Sequence, residues 1–327
     1  MIFQLGTASL EYAIPAAKLV AADVAGIDVN AGCPKPFSTS GGMGAALLQT
    51  PDRLALLLEG LIKEVGNPFQ IGISVKIRIL ETPDKTEELV KRLCATGITG
   101  LTVHCRTTPM RPRQRAIRDQ LAMVAATCRD AGVACVMNGD VVSRDEALAL
   151  ITEYNVDGAM IATAAESNPS CFRSREQGGL LHWRDLAHDY LDACLKSENR
   201  FGNTRFLLNI FIPGKNKEFK AAATAKSYAD YCHVLRFDDL LPTALRVDEI
   251  LGLAGKSVHY SEDLPAVKSK AVQNAMKNSE SSWAAGGGVT RTAQSNGRGP
   301  ILKTNLARTT VDDSNVDLSQ THLGLTV

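Results

Sequence analysis

The chain has 327 residues, 45% hydrophobic and 22% charged, an ordinary globular balance that excludes a wholly disordered polymer. Its 36 basic and 35 acidic residues leave a net charge of +1, which is silent on nucleic acid, and no run approaches the ~18 apolar residues of a membrane span, while the start lacks the cationic and apolar blocks of a signal peptide. The eight cysteines are scattered with no C-x-x-C pair, which fits reduced thiols in the cytoplasm or nucleus rather than a disulfide framework or a metal site.

Residues 1 to about 165 alternate between short β-branched runs and helical patterns. The runs at 2–5, 27–30, 73–79, 100–104, 134–138 and 158–162 predict strands. Pro51 after Thr50 predicts a helix start, Ser143 with Glu146 forms a capping box, and 86–96 and 116–131 carry apolar residues at helical spacing. Such alternation implies crossover connections and a parallel sheet, whose strands read as continuous apolar runs because both faces are covered.

An open doubly wound sheet and a closed (β/α)8 barrel compete. The first strand runs into Gly6-Thr-Ala-Ser and carries no G-x-G-x-x-G turn. Nearly every strand instead ends in a polar or reactive residue, as barrels do where they collect chemistry, so the TIM-barrel type is favoured. Six strands are countable where eight are needed, so either two lie elsewhere or the chain has lost its N-terminal end. The domain expectation is an incomplete barrel over 1–170 and a smaller all-α domain over 171–240, with helices at 182–196, 203–211 and 218–234. An extension follows at 241–278. Residues 279–327, rich in Ser, Thr, Gly and Asn, predict a disordered tail.

Cys33 sits in Asn30-Ala-Gly-Cys-Pro-Lys35 just past a strand, where Gly32 and Pro34 shape a loop; the competing reading is a buried structural thiol. Lys76 lies inside an apolar strand and shares a face with Arg78, a costly placement unless it meets an anion or emerges into solvent at the strand's end. Alternation puts His104 and Cys105 on opposite faces, and Asn138-Gly-Asp140 ends another strand in a turn sequence. Residues 158–165 enter a loop of the kind that binds phosphate through backbone amides in barrels. Arg106, Arg111, Arg113, Arg115 and Arg118 fall within thirteen residues without an acid, and Arg205, Lys215, Lys217, Lys220 and Lys226, with Tyr228 and Tyr231 nearby, form a second basic cluster. Two such clusters could grip a polyanion.

Together, Phe3-Gln-Leu-Gly-Thr, Asn30-Ala-Gly-Cys-Pro-Lys, Gly41-Gly-Met-Gly-Ala-Ala-Leu-Leu, Ser74-Val-Lys-Ile-Arg, Val103-His-Cys-Arg-Thr-Thr-Pro-Met-Arg-Pro-Arg, Asn138-Gly-Asp-Val and Asn203-Thr-Arg-Phe resemble the tRNA-dihydrouridine synthase family, and within it the eukaryotic branch that modifies position 20 of tRNA. The resemblance implies a flavin barrel followed by a helical tRNA-binding domain. It implies that FMN is held by Gln4, Lys76, His104 and Asn138, with Gly139, Asp140, Ala162 and Thr163 completing the cofactor site. NADPH would be the reductant and Cys33 the general acid, since a thiol with an ordinary pKa of ~8.5 is mostly protonated at neutral pH. The resemblance also implies tRNA contacts at Arg106, Arg111, Arg113, Arg115, Asn203, Lys215 and Lys226, with no metal and no obligate protein partner. Family members begin with a Pro-Met strand and a second strand that have no counterpart here, which yields the expectation of a barrel lacking its first two strands. Ala162-Thr163 and Ser40 stand where arginine and lysine are usual. A non-catalytic tRNA-binding relative and a small-molecule flavin oxidoreductase are the competing function classes.

Overall fold

The computed structural model describes residues 1–111 and 113–260; the expected tail at 279–327, and the expected extension beyond 260, lie outside the described residues. Six strands form one parallel sheet: β1 Ile2–Leu5, β2 Gly26–Asn30, β3 Gly72–Arg78, β4 Gly100–His104, β5 Ala134–Asn138 and β6 Gly158–Met160. Their spatial order is their sequence order, β1 to β6. A doubly wound sheet reverses its order at a switch point, so an unreversed run is the (β/α)-barrel pattern. Among the described residues β1 and β6 are the two edges.

The crossovers are α1 Leu10–Val20, α2 Pro51–Leu61, α3 Pro83–Cys94, α4 Leu121–Asp130 and α5 Arg144–Tyr154. Thr82 caps α3, its hydroxyl accepting from Lys85 N at 3.4 Å. Ser143 caps α5 through Glu146 N (3.2 Å), but the Glu146 carboxylate takes the N–H of Val142 (2.8 Å) rather than that of Ser143. Thr50 precedes α2 without a side-chain cap bond. Helix α4 starts five residues later than its periodicity predicts. Ala116 N is bonded to the Asp140 carboxylate (2.7 Å) and Ile117 N to Cys105 O (2.7 Å), and these tertiary bonds displace the helical ones. Ile27, Val29, Ile73, Val75, Ile77, Leu101, Val103, Cys135 and Met137 are buried and, by register, share one face of the sheet, while Asp28, Ser74, Lys76, Thr102 and Asn138 alternate onto the other, so the strands carry a polar face rather than the unbroken apolar runs expected.

The described chain divides into two compact units, Met1–Ala187 with Ile210–Ile212, and His188–Asn209 with the described residues from Pro213. Five further helices are α6 Trp183–Lys196, α7 Phe201–Phe211, α8 Lys217–Thr224, α9 Tyr228–Leu235 and α10 Leu241–Ile250. The single helix expected over 218–234 is broken at Ala225–Ser227, because Ser227 Oγ caps α9 at Asp230 N (3.1 Å) and the Asp230 carboxylate accepts from Lys226 N (2.8 Å). The segment expected only as an extension contributes α10, whose Asp248 carboxylate accepts from Tyr228 N (2.8 Å) and Ala229 N (2.9 Å) at the start of α9.

Candidate active site

The register puts the strand ends level. Asn30 lies opposite Lys76, Arg78 opposite His104, His104 opposite Asn138, and Asn138 opposite Met160. The polar residues that end successive strands therefore gather in two adjacent rows, Asn30 with Lys76 and Arg78 with His104 and Asn138, although they are far apart in sequence.

Cys33 is presented by an Asx turn. Asn30 Oδ1 accepts from both Gly32 N (3.2 Å) and Cys33 N (3.0 Å), which turns the chain off β2. The loop is closed from the other side by Ala45 N, which donates to Cys33 O (2.9 Å). Gly44, at φ +58, makes that approach possible: a Cβ there would lie 2.5 Å from Cys33 O and 2.4 Å from Ser38 Oγ. Arg78, only 8% exposed, donates from Nε to Gly32 O (2.6 Å) and from Nη1 to Thr107 O (3.1 Å), tying the Cys33 loop to the loop after β4. Of the eight cysteines, seven are buried and Cys33 alone is half-exposed. The reading of Cys33 as a buried structural thiol is thereby set aside.

Lys76 Nζ donates to Asn138 Oδ1 (3.0 Å), and Asn138 Nδ2 to Met160 O (2.9 Å). Burial, with help from Arg78, lowers the Lys76 ammonium to about 8. His104 Nε2 faces Arg106 Nη1 at 3.1 Å. A guanidinium only donates, so Nε2 is the acceptor and the ring proton of the neutral imidazole sits on Nδ1. Burial, reinforced by the charges of Lys76, Arg78 and Arg106, drops the His104 pKa to about 3, so the ring is neutral at physiological pH. Burial alone would raise the Asp140 carboxyl, but the Ala116 N–H and the Arg106 guanidinium (2.5 Å) hold it below the usual carboxylate range.

A cavity of about 1020 Å³ opens at these strand ends. His104, Asn138, Gly139, Asp140, Ala162 and Thr163 line it, together with Pro34 and Lys35 beside Cys33 and with Arg78, Arg106, Arg111 and Arg115. Lys76 reaches this group through Asn138, whereas Gln4 is bonded to Asp28 and to Asn30 beneath the Cys33 loop. Of the residues expected from the sequence to hold a cofactor, His104, Asn138, Gly139, Asp140, Ala162 and Thr163 are in the wall, Lys76 is one hydrogen bond behind it, and Gln4 is not in it.

Two expectations are corrected. Arg106 does not stand with the exposed arginines: it is 6% exposed, and its guanidinium is committed to Gln114 O (2.7 Å), His104 and Asp140. It is a positioning residue rather than a surface cation. Tyr228 and Tyr231 do not accompany the second basic cluster at the surface. Both are fully buried, and Tyr228 Oη pairs with Thr204 Oγ1 (2.8 Å) and donates to Asn199 O (2.7 Å). Arg111, Arg113 and Arg115 are exposed and have no ion-pair partner among the described residues, and Asn203, Lys215 and Lys226 are exposed in the helical unit. Sequence reasoning missed Asp28, a carboxylate 7% exposed in mid-strand β2 that accepts from Gln4 Nε2 (2.7 Å) and Ser74 Oγ (2.7 Å). An acid inside an apolar parallel strand is the signal that could have found it.

Comparison with known proteins adds an independent line. Residues 1–194 match the family model described as dihydrouridine synthase (Dus). A curated tRNA-dihydrouridine(20) synthase [NAD(P)+] of Schizosaccharomyces pombe is 49% identical over 232 residues, 70% of this chain and 48% of that protein. The Saccharomyces cerevisiae protein of the same name is 44% identical over 244 residues, 72% of this chain and 63% of that protein. A human tRNA-dihydrouridine(20a/20b) synthase [NAD(P)+]-like protein is 31% identical over 178 residues, 53% of this chain and 54% of that protein. The chain thus spans about half the length of the first of these relatives.

Proposed function

Because the chain belongs to the dihydrouridine synthase family, we propose that it reduces uridine in tRNA, at position 20 of the D-loop, to 5,6-dihydrouridine, with FMN at the strand ends, NADPH as reductant and Cys33 as general acid. The observation that carries this reading is the singular exposure of Cys33 on a loop held by Asn30, Ala45 and Arg78, while every other thiol is buried.

The residues present suit a flavin mononucleotide. The cavity is at the upper end of the ~300–1,000 Å³ usual for cofactor pockets. Lys76 offers an ammonium and His104 an Nδ1–H donor, the chemistry that suits the carbonyl and N1 side of an isoalloxazine ring, where reduction places negative charge. The backbone at Gly139, Ala162 and Thr163 would hold the phosphate end, with Arg111 and Arg115 in the same wall supplying positive charge. Bound there, FMN supplies the hydride that NADPH delivers to it.

Cys33 supplies the proton. As C6 of the uracil gains hydride, the thiol gives its proton to C5, so one C=C π bond is replaced by two C–H bonds and the sulfur is left as thiolate to be reprotonated from solvent. Arg78 keeps the thiol in place through Gly32 O. Neutral His104 donates without competing with Cys33 as an acid. Arg111, Arg113 and Arg115, with Asn203, Lys215 and Lys226, bind tRNA. The target base leaves its stack to enter the cavity, a small cost in a loop.

The test is turnover of unmodified tRNA by the purified chain with FMN and NADPH, read as dihydrouridine by mass spectrometry. Cys33→Ala is expected to cut the rate at least ~10²-fold, the size of a lost general acid, and to leave flavin binding by fluorescence unchanged. Undiminished turnover removes the role of Cys33. Retention of tRNA by the parent chain with no product assigns it to binding alone.

A further inference from the structure

The side chains behind Cys33 form a directed relay. Gln4 Nε2 donates to Asp28 Oδ2 (2.7 Å), Asn30 Nδ2 donates to Gln4 Oε1 (2.9 Å), and Asn30 Oδ1 accepts from Cys33 N (3.0 Å). The two ends of this chain admit no ambiguity. A carboxylate only accepts, and a backbone N–H only donates. Between them stand two amides, each with a donor side and an acceptor side. Turning both would aim Gln4 Oε1 at the Asp28 carboxylate and Asn30 Nδ2 at the Cys33 N–H, an acceptor pair at one end and a donor pair at the other. Turning one breaks the bond between them. A single arrangement makes all the bonds, and it is required from both ends, by the Asp28 carboxylate and by the N–H groups of Gly32 and Cys33.

We propose that Asp28 is a positioning residue for the reaction: as the anchoring acceptor of this relay it holds the Gln4 and Asn30 amides, and through them the loop that presents the Cys33 thiol. Asp28 is suited to this. It is 7% exposed and its second oxygen is taken by Ser74 Oγ (2.7 Å); burial raises its pKa above the usual carboxylate value, and the hydrogen bonds from Gln4 and Ser74 and the charge of Lys76 oppose that rise. Gln4 is engaged on both sides of its amide, so its role is to link Asp28 to Asn30. Register explains why the relay exists: Gln4 pairs with Asp28 across β1 and β2, and Asp28 with Ser74 across β2 and β3, so the three side chains emerge on one level.

This inference builds on the role proposed for Cys33, but its main test does not need turnover. Cys33 is the one half-exposed thiol of eight, so the alkylation rate of the native chain by iodoacetamide reads the Cys33 loop directly. Gln4→Glu sets a carboxylate against Asp28 at nearly constant volume and is expected to raise that rate about tenfold, the size of one lost hydrogen bond to a charged group. Asp28→Asn combined with Gln4→Glu rebuilds the relay with the charge moved one place: the new amide at 28 donates, the new carboxylate at 4 accepts from Asn30, and Asn30 Oδ1 still faces Cys33. The double variant is expected within about threefold of the parent, because the same number of bonds is made. In an active preparation, Gln4→Glu lowers kcat with little change in KM for tRNA, and the double variant recovers it. A rescue of this kind is not produced by loss of packing. If Gln4→Glu does not fold, Asp28→Asn alone decides the matter, since it replaces the carboxylate that anchors Gln4 by a neutral and weaker acceptor and is expected to raise the rate about threefold. Parental alkylation in Gln4→Glu, no recovery in the double variant, or parental alkylation in Asp28→Asn overturns the proposal; loss of turnover with the alkylation pattern intact overturns the catalytic reading and leaves this one standing.

Discussion

Gly44 offers a quantitative test of how the Cys33 loop is built. Two costs attach to Gly44→Ala. The first is conformational: at φ +58 an L side chain carries the left-handed penalty of ~1–2 kcal/mol. The second is steric. The added Cβ would lie 2.5 Å from Cys33 O and 2.4 Å from Ser38 Oγ, and the carbonyl cannot retreat without loosening its 2.9 Å bond from Ala45 N. Overpacking of this kind adds ~1–3 kcal/mol. The sum is about 3 kcal/mol, which lowers the midpoint of thermal unfolding by ~6–12 °C. Gly132→Ala is the control, because Gly132 has φ +69 with nothing within 4 Å of its added Cβ. It carries the first cost alone and is expected to shift the midpoint by only ~2–8 °C, and any gain from a stiffer unfolded chain is common to both variants. Circular dichroism melts of the parent and both variants measure the difference, and the Cys33 alkylation rate is expected to rise in Gly44→Ala only. Equal shifts in the two variants refute the close approach of Gly44 to Cys33.

Two further outcomes follow from the charges. The folded Lys76 pKa of about 8 lies below the ~10.4 of an unfolded lysine, so between these values the unfolded chain binds the extra proton and stability rises with pH. Below pH 8 both states are charged and the cost of the buried ammonium is felt in full. Urea midpoints from pH 7.5 to 10 are therefore expected to move in favour of the parent relative to Lys76→Met, by at most ~3 kcal/mol, and parallel curves contradict the assignment. Replacing Arg111, Arg113 and Arg115 together by alanine is expected to flatten the slope of log K for tRNA against log salt by about two to three, with melting unchanged; an unaltered slope removes them from the interface.

Much of the strand unit was legible from sequence because its signals are local. β-branched runs bounded by polar ends gave six strands, Ser143 caps the helix it precedes, and Gly32 with Pro34 marks the loop that carries Cys33. Arg106 and Arg111 could not be told apart this way. One meets His104 and Asp140 and turns inward, and its neighbour five residues on finds no acid and stays out. Tyr228 and Tyr231 likewise sit beside lysines in sequence, yet helical geometry carries them to the core face of α9.

What the chain by itself determined is which segments extend, which coil, and which residue types stand at the strand ends, since these depend on spacings of two to four residues. Which of those groups meet was decided only by register between strands: Gln4 reaches Asp28 across 24 residues, Ser74 reaches the same carboxylate across 46, and Lys76 reaches Asn138 across 62. Local propensity carries no information over such separations. The pairing, and with it the burial that neutralises His104 and leaves Cys33 as the exposed thiol, arises when parallel strands set their ends side by side.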